Sequence, residues 1–318
     1  MRRVILLLVL ANGANAQPCT TADRTCLERL PLEGGKFLLV YRSSPLTLGN
    51  AAVERVFILV HGLGRDGDVY YQSAIAATRE ANQMDRTLVI APQFHSTNGE
   101  RCQDKLEAGE AAFACRGWLD GLGTADALLS SFAAVDQLLH AVDRRQLFPA
   151  LKEIVLAGHS AGGQFVQRYA ATNRVDGHLS VPLRYVVANP STYLYLESWR
   201  PVADPGAACP AYDRYKFGLQ ERRGYAAKMT AEEIRSSYPR RAVTYLLGEL
   251  DTTDEHNMDK TCPAMAQGPN RRERGLAYYQ RLQQIFHSTH RLFQVPGCGH
   301  SGDCMYRSES GRKVVFSN

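Results

Sequence analysis

The feature that most constrains this chain is a pentapeptide, Gly158-His159-Ser160-Ala161-Gly162, set between an apolar run at 154–157 and a helical segment at 164–171. In that setting G-x-S-x-G makes a sharp strand-to-helix turn, and glycines flank it because Cβ atoms would collide in so tight a bend. The turn leaves the serine at a helix N-terminus, where backbone N–H groups point toward developing negative charge. A Gly/Ser-rich loop can match the same five letters by chance. The strand before and the helix after are what favour a nucleophile at Ser160.

The rest of the chain supplies more of the same alternation. Runs at 36–41, 56–60, 87–91, 153–157, 184–188, 242–247 and 291–295 read as strands. The middle ones are nearly continuous apolar runs, as in a parallel sheet covered on both faces. Amphipathic segments lie between them: 124–145 places Ala127, Leu128, Phe132, Val135, Leu138, Leu139 and Val142 at helical spacing, and 277–287 does so with Tyr278, Leu282, Ile285 and Phe286. The 318 residues admit two ordinary domains or one large one. Strand–helix alternation predicts a single α/β domain over 17–318 with right-handed crossovers. Two excursions interrupt it. Residues 93–123 hold Cys102, Cys115 and Trp118; residues 191–240 are rich in Pro, Arg and Tyr and hold Trp199 and Cys209. Connections this long are functional or disordered, and their cysteines and aromatics argue for covers over a site.

A serine hydroxyl is a weak nucleophile that requires a base, and the base requires an orienting acid. Downstream of the turn, the run 242–247 ends in Gly248-Glu249-Leu250-Asp251. This puts an acid just past a strand terminus, where α/β sheets place working residues. Asp254 and Glu255 are close enough to compete with Asp251 for the role. The final run leads into Pro296-Gly297-Cys298-Gly299-His300-Ser301-Gly302, which sets His300 on a Gly-rich loop near the C-terminus as the base. Upstream, the run 57–60 is followed by His61-Gly62-Leu63-Gly64.

An HG turn after an early strand, GHSAG at mid-chain, GELD after a later strand and GH near the end, in that order, resemble the α/β-hydrolase superfamily. The resemblance spans 36–300. It implies an α/β-hydrolase fold: a mostly parallel central sheet flanked by helices, with a cap-like insertion at 191–240 after the sixth strand. It also implies oxyanion donors at the backbone N–H groups of Leu63 and Ala161, with His61 a structural tie for its turn. The function implied is a secreted serine hydrolase that cleaves small or polymeric carboxylic esters through Ser160, His300 and Asp251. A peptidase or amidase with the same triad, or a binding protein on a hydrolase scaffold, are the other readings. No cofactor is implied.

Arg2-Arg3, the apolar 4–11 and Ala14-Asn15-Ala16 form the pattern of a secretory leader cut after Ala16, giving a secreted or periplasmic protein. A membrane anchor is the alternative, but eight apolar residues fall short of the roughly 20 needed to span a bilayer. The formal charge of +5, from 37 bases and 32 acids, falls to +3 without Arg2 and Arg3. So small an excess argues against nucleic acid as a partner. Eight cysteines in an exported chain read as disulfides, and proximity favours Cys19–Cys26, Cys102–Cys115, Cys298–Cys304 and, by remainder, Cys209–Cys262. No C-x₂-C pair supports a zinc site. Gly64–Asp68 is read as a polar turn rather than a calcium loop. Trp118, Tyr193, Tyr195 and Trp199 either line a substrate pocket or anchor the covers onto the sheet. Arg222-Arg223 and the run 271–274 are read as solvated faces.

Overall fold

Apolar runs that alternate with helices assemble into one sheet in the computed structural model, which describes residues 17–100, 102–123, 129–202, 209–255 and 257–317. The leader at 1–16 lies outside these residues, as does the start of the helical pattern at 124–128. The strands are β1 (Leu27–Pro31), β2 (Phe37–Arg42), β3 (Arg55–Val60), β4 (Thr87–Gln93), β5 (Glu153–His159), β6 (Leu183–Ala188), β7 (Ala242–Gly248) and β8 (Arg291–Val295). They pair in the order β1-β2-β4-β3-β5-β6-β7-β8. The β1–β2 and β2–β4 pairs are antiparallel, and all the others are parallel. The seven sequence-predicted strands are all present. β1 is an addition: it carries Glu28 and Arg29, buries only Leu30 and ends in Pro31, as suits a sheet edge.

The helices are α1 (Gly67–Glu80), α2 (Ser131–Val142), α3 (Ala161–Thr172), α4 (Ala231–Ser237), α5 (Cys262–Met265), α6 (Arg271–Phe286), α7 (Gly302–Arg307) and α8 (Glu309–Phe316). Every residue of β3 is buried, and its side chains alternate between two apolar layers. Val56, Ile58 and Val60 join a layer with Phe132 of α2, Phe165 of α3 and Tyr278 of α6, while Phe57 and Leu59 join one with Tyr71 of α1 and Tyr306 of α7. This two-faced burial is why the central strands read as unbroken apolar runs. Among the described residues, no helix is long and apolar enough to cross a membrane.

The helix boundaries follow local chemistry. α2 starts at Ser131 because the Ser130 side chain accepts from the Ala133 N–H at 3.1 Å. α6 starts six residues before the predicted 277, where the Asn270 side chain accepts from the Glu273 N–H at 2.9 Å. Its first turn corrects the solvated reading of 271–274. Arg271, Arg274, Gly275 and Tyr278 share the buried face, while Arg272 and Glu273 stay partly exposed. Arg274 donates to the carbonyls of Ser191 (2.6 Å), Gly268 (2.8 Å) and Asp259 (3.0 Å), so one buried cation gathers three loop segments.

The cysteines pair as proximity predicted: Cys19–Cys26, Cys102–Cys115, Cys209–Cys262 and Cys298–Cys304. The two excursions also touch each other. The Tyr215 hydroxyl donates to the Asp120 carbonyl at 2.6 Å, and buried Arg168 of α3 reaches Asp120 at 2.9 Å and Thr192 at 2.7 Å.

Candidate active site

The strand-to-helix turn between β5 and α3 holds Ser160 at φ 57°, ψ −115°, a strained backbone region that aims the side chain out of the sheet edge. Close approach explains both flanking glycines. A Cβ at Gly158 would collide with the Gly162 carbonyl, and one at Gly162 would sit 2.6 Å from the His61 carbonyl oxygen. The neighbouring loops bring in the other two groups. His300 Nε2 lies 2.9 Å from Ser160 Oγ, and His300 Nδ1 lies 2.8 Å from Asp251 Oδ2. Ser160, Asp251 and His300 therefore form one hydrogen-bonded line, although 140 residues separate the serine from the histidine. Asp254 is exposed and pairs instead with Lys260 at 2.6 Å. Such a line can deprotonate the hydroxyl at His300 Nε2 while the carboxylate holds the opposite ring nitrogen.

Behind Asp251 stands Arg271, with Nη1 3.5 Å from Asp251 Oδ1 and both side chains only 1% exposed. Burial pulls the Arg271 pKa below its ordinary value, and the Asp251 charge works against that shift. The sequence pointed to no partner on this side of the acid, yet the spacing of 271, 274, 275 and 278 is that of one helix face and carries the signal. Asn189 is a second residue the sequence left without a role. At φ 43° just past β6, it accepts from the Gly248 N–H at 2.8 Å and donates to the Gly299 carbonyl at 3.1 Å. It thereby joins the end of β7 to the histidine loop. His159 is a third: its ring lies 4.6 Å from that of His300 and its Nδ1 lies 2.9 Å from the Tyr70 hydroxyl. Burial, and then the neighbouring His300, hold His159 well below its ordinary pKa, so it packs there as a neutral ring.

Hydrogen bonds to two carbonyls fix the direction of the two backbone amides at Leu63 and Ala161. The Gly62 carbonyl is held by the Arg65 N–H at 3.2 Å and by His61 Nδ1 at 2.9 Å. In a trans peptide the N–H points opposite to the C=O, so these bonds fix the direction of the Leu63 N–H. In the same way the Ser160 carbonyl accepts from the Gln164 N–H at 3.0 Å, and the Ala161 N–H points out of the N-terminus of α3. His61 also accepts from the Phe94 N–H through Nε2 at 3.0 Å. The two bonds require the neutral ring with its proton on Nδ1.

Burial lowers the pKa of His61 from 6.5 to about 4, and burial does the same to His290 beneath Tyr245. A depressed histidine binds fewer protons folded than unfolded, so its stabilisation is full above pH 6.5 and is lost as pH falls toward 4. The expected loss is about 3 kcal/mol per histidine. Urea midpoints at pH 7 and pH 4.5 test this. The His290→Gln variant should show a smaller difference than the parent, and an equal difference would refute the assignment.

The structure does not place the predicted aromatic residues on the cleft. Trp118 is fully buried behind the 61–64 turn, its ring 4.7 Å from His61 and 5.6 Å from Phe94. At about 25 cal/mol per Å² over the 150–250 Å² of such a side chain, this burial contributes up to about 4–6 kcal/mol. Tyr193 stacks on Tyr278 at 4.6 Å, and Tyr195 packs edge-on to the same ring at 4.9 Å. Both are buried and fasten the 191–200 segment onto α6. The anchoring alternative accounts for all three. The open space is a cleft of about 710 Å³ whose walls include Leu63, Gln164, Ser191, Phe217 and Met258. Phe217 and Ser191 come from the 191–240 excursion and Leu63 from the early turn, while Gln164 lies one turn along α3 from Ser160, its N–H bonded to the Ser160 carbonyl at 3.0 Å.

The Cys298–Cys304 bridge brackets His300 and closes the loop between β8 and α7. Because a 1 Å misplacement of a reacting group can lower turnover about a hundredfold, mild reduction should depress activity by tens of fold before the core melts. Turnover and near-ultraviolet circular dichroism, followed together against reductant concentration, check this. A reduced protein with full turnover refutes a positioning role for the bridge.

No curated protein is similar enough to this chain to be matched to it. Among the solved structures that share its fold are two hydrolases. The LpqC poly(3-hydroxybutyrate) depolymerase from Bordetella parapertussis superposes with TM-score 0.64 at 22% identity, covering 94% of each chain. Poly(aspartic acid) hydrolase-1 from Sphingomonas sp. KT-1 superposes with TM-score 0.63 at 23% identity, covering 91% of this chain and 98% of the other. The model of the alpha/beta hydrolase family matches residues 57–315, which runs from β3 through α8 and takes in the elbow, the acid and the histidine loop: the chain belongs to the alpha/beta hydrolase family.

Proposed function

We propose that the protein is an exported serine hydrolase acting on carboxylic esters, with Ser160 as nucleophile, His300 as base and Asp251 as the orienting acid. The observation that carries this reading is the unbroken hydrogen-bonded line from Ser160 Oγ through His300 to Asp251. Ser160 Oγ bonds to the acyl carbon as His300 Nε2 takes its proton. The Leu63 and Ala161 N–H groups receive the oxyanion. His300 returns the proton to the alkoxide as the C–O bond breaks and the alcohol leaves. Water then attacks the acyl-enzyme, gives its proton to His300, and Ser160 departs reprotonated with the free acid released. The 191–240 excursion acts as the cover of this site, and the four disulfides suit the oxidising compartment to which the leader directs the chain.

The test is a panel of p-nitrophenyl esters of increasing chain length, run beside the matching p-nitroanilides with Ser160→Ala as control. Ester turnover that vanishes in the variant supports the reading. Cleavage of anilides alone converts it to an amidase, and turnover that survives in Ser160→Ala refutes it.

A further inference from the structure

The cleft lined by Leu63 and Gln164 has a charge pattern that the serine chemistry does not use. Three bases line it, Arg116, Lys216 and Lys260, against one acid, Asp259. Two of the bases have carboxylate partners: Lys216 lies 3.8 Å from Asp259 and Lys260 lies 2.6 Å from Asp254. Arg116 has none among the described residues. It is exposed, but its backbone is fixed on both sides. The Cys102–Cys115 bridge and the bond from the Cys115 N–H to Asn98 Oδ1 at 3.0 Å precede it. Buried Trp118 and Leu119 follow it.

Arg116 shares its cleft with Leu63. It and Leu63 line both the 710 Å³ cleft and a smaller adjoining one of about 180 Å³, and Leu63 carries a proposed oxyanion donor. A guanidinium presents paired N–H donors that match a carboxylate bidentately. A cation on a braced backbone, lining the same cleft as Leu63, is suited to a substrate whose acyl part ends in a second carboxylate.

Resting on the serine-hydrolase reading, we infer that the preferred substrates are half-esters of dicarboxylic acids, their free carboxylate anchored by Arg116. Hydrolysis of such an ester yields a diacid and an alcohol by the steps given above, with no further reactant.

The experiment compares kcat/KM for three p-nitrophenyl esters with six-carbon acyl chains: the adipate half-ester, the neutral hexanoate and the 6-aminohexanoate. The wild type should prefer adipate over hexanoate by about tenfold, the scale of a charge-assisted hydrogen bond. Added salt should erode that preference because the site is open to solvent. Arg116→Gln should bring the ratio near one, Arg116→Lys should retain part of it, and Arg116→Glu should turn the preference toward 6-aminohexanoate. A wild-type ratio of one or below, or a preference that survives in Arg116→Gln, overturns the inference while Ser160-dependent hexanoate turnover leaves the serine reading standing. If none of the three esters is cleaved, both fall.

Discussion

Ser160→Ala should lower kcat on p-nitrophenyl esters by about 10⁶, because members of a nucleophile–base–acid unit act together and loss of one removes most of what the whole supplies. The fold gives this measurement a clean reading. The Ser160 side chain caps no helix, and the tight fit of the turn depends on Gly158 and Gly162, so alanine leaves the backbone path intact. The remaining activity should exceed spontaneous hydrolysis by about 10³–10⁴, since the proposed oxyanion donors at Leu63 and Ala161 are untouched. Rates are measured alongside labelling by a fluorophosphonate, which should modify the parent at Ser160 and leave the variant unmodified. Turnover within tenfold of the parent rejects Ser160 as nucleophile.

Asp251→Asn should lower kcat by about 10⁴, and Asp254→Asn should leave it within twofold. In the proposed mechanism the carboxylate accepts the Nδ1 proton of His300 and keeps Nε2 free to receive the serine proton. A carboxamide can turn its NH₂ toward Nδ1 instead, which puts the ring proton on Nε2, the wrong side for a base. Asp251 also balances buried Arg271, and removing one partner of a buried pair destabilises by about 3–5 kcal/mol. Melting temperature is therefore followed with kcat, so that unfolded enzyme is not counted as inactive enzyme. Asp254 lies at the surface on Lys260, where an ion pair contributes at most about 1 kcal/mol. If the two variants exchange behaviours, Asp254 is the acid.

The chain order of the site was legible because each of its parts is joined covalently to a strand end. GHSAG, GELD and PGCGH each follow an apolar run directly, and the sheet sets those ends side by side. The central strands were legible for a similar reason, as burial on both faces leaves a continuous apolar record. β1 left no such record, with one buried residue and two charges in five positions. The errors came where composition was taken as exposure. Arg271 and Arg274 are charged yet buried, because each exchanges water for specific partners: the Asp251 carboxylate and three loop carbonyls. Trp118, Tyr193 and Tyr195 were no such error: pocket lining and anchoring both stood open for them, and all three are buried. Asn189 and His159 act through contacts with segments more than fifty residues away, and nothing adjacent to them in the sequence foretells those partners.

The buried Arg271–Asp251 pair makes the proposed reaction isoelectric within the protein interior. Before attack, the guanidinium and carboxylate cancel and the serine and imidazole carry no charge. After attack, the imidazolium and the oxyanion cancel as well. These groups thus hold zero net charge among themselves in both states, and the penalty for placing an uncompensated ion in a weakly polar medium does not arise from them along the path. An unaccompanied carboxylate at 251 would leave the resting site one negative charge in surplus and bias the imidazole toward keeping its proton. With Arg271 in place the same carboxylate keeps its 2.8 Å contact with the ring while its field is largely cancelled at a distance.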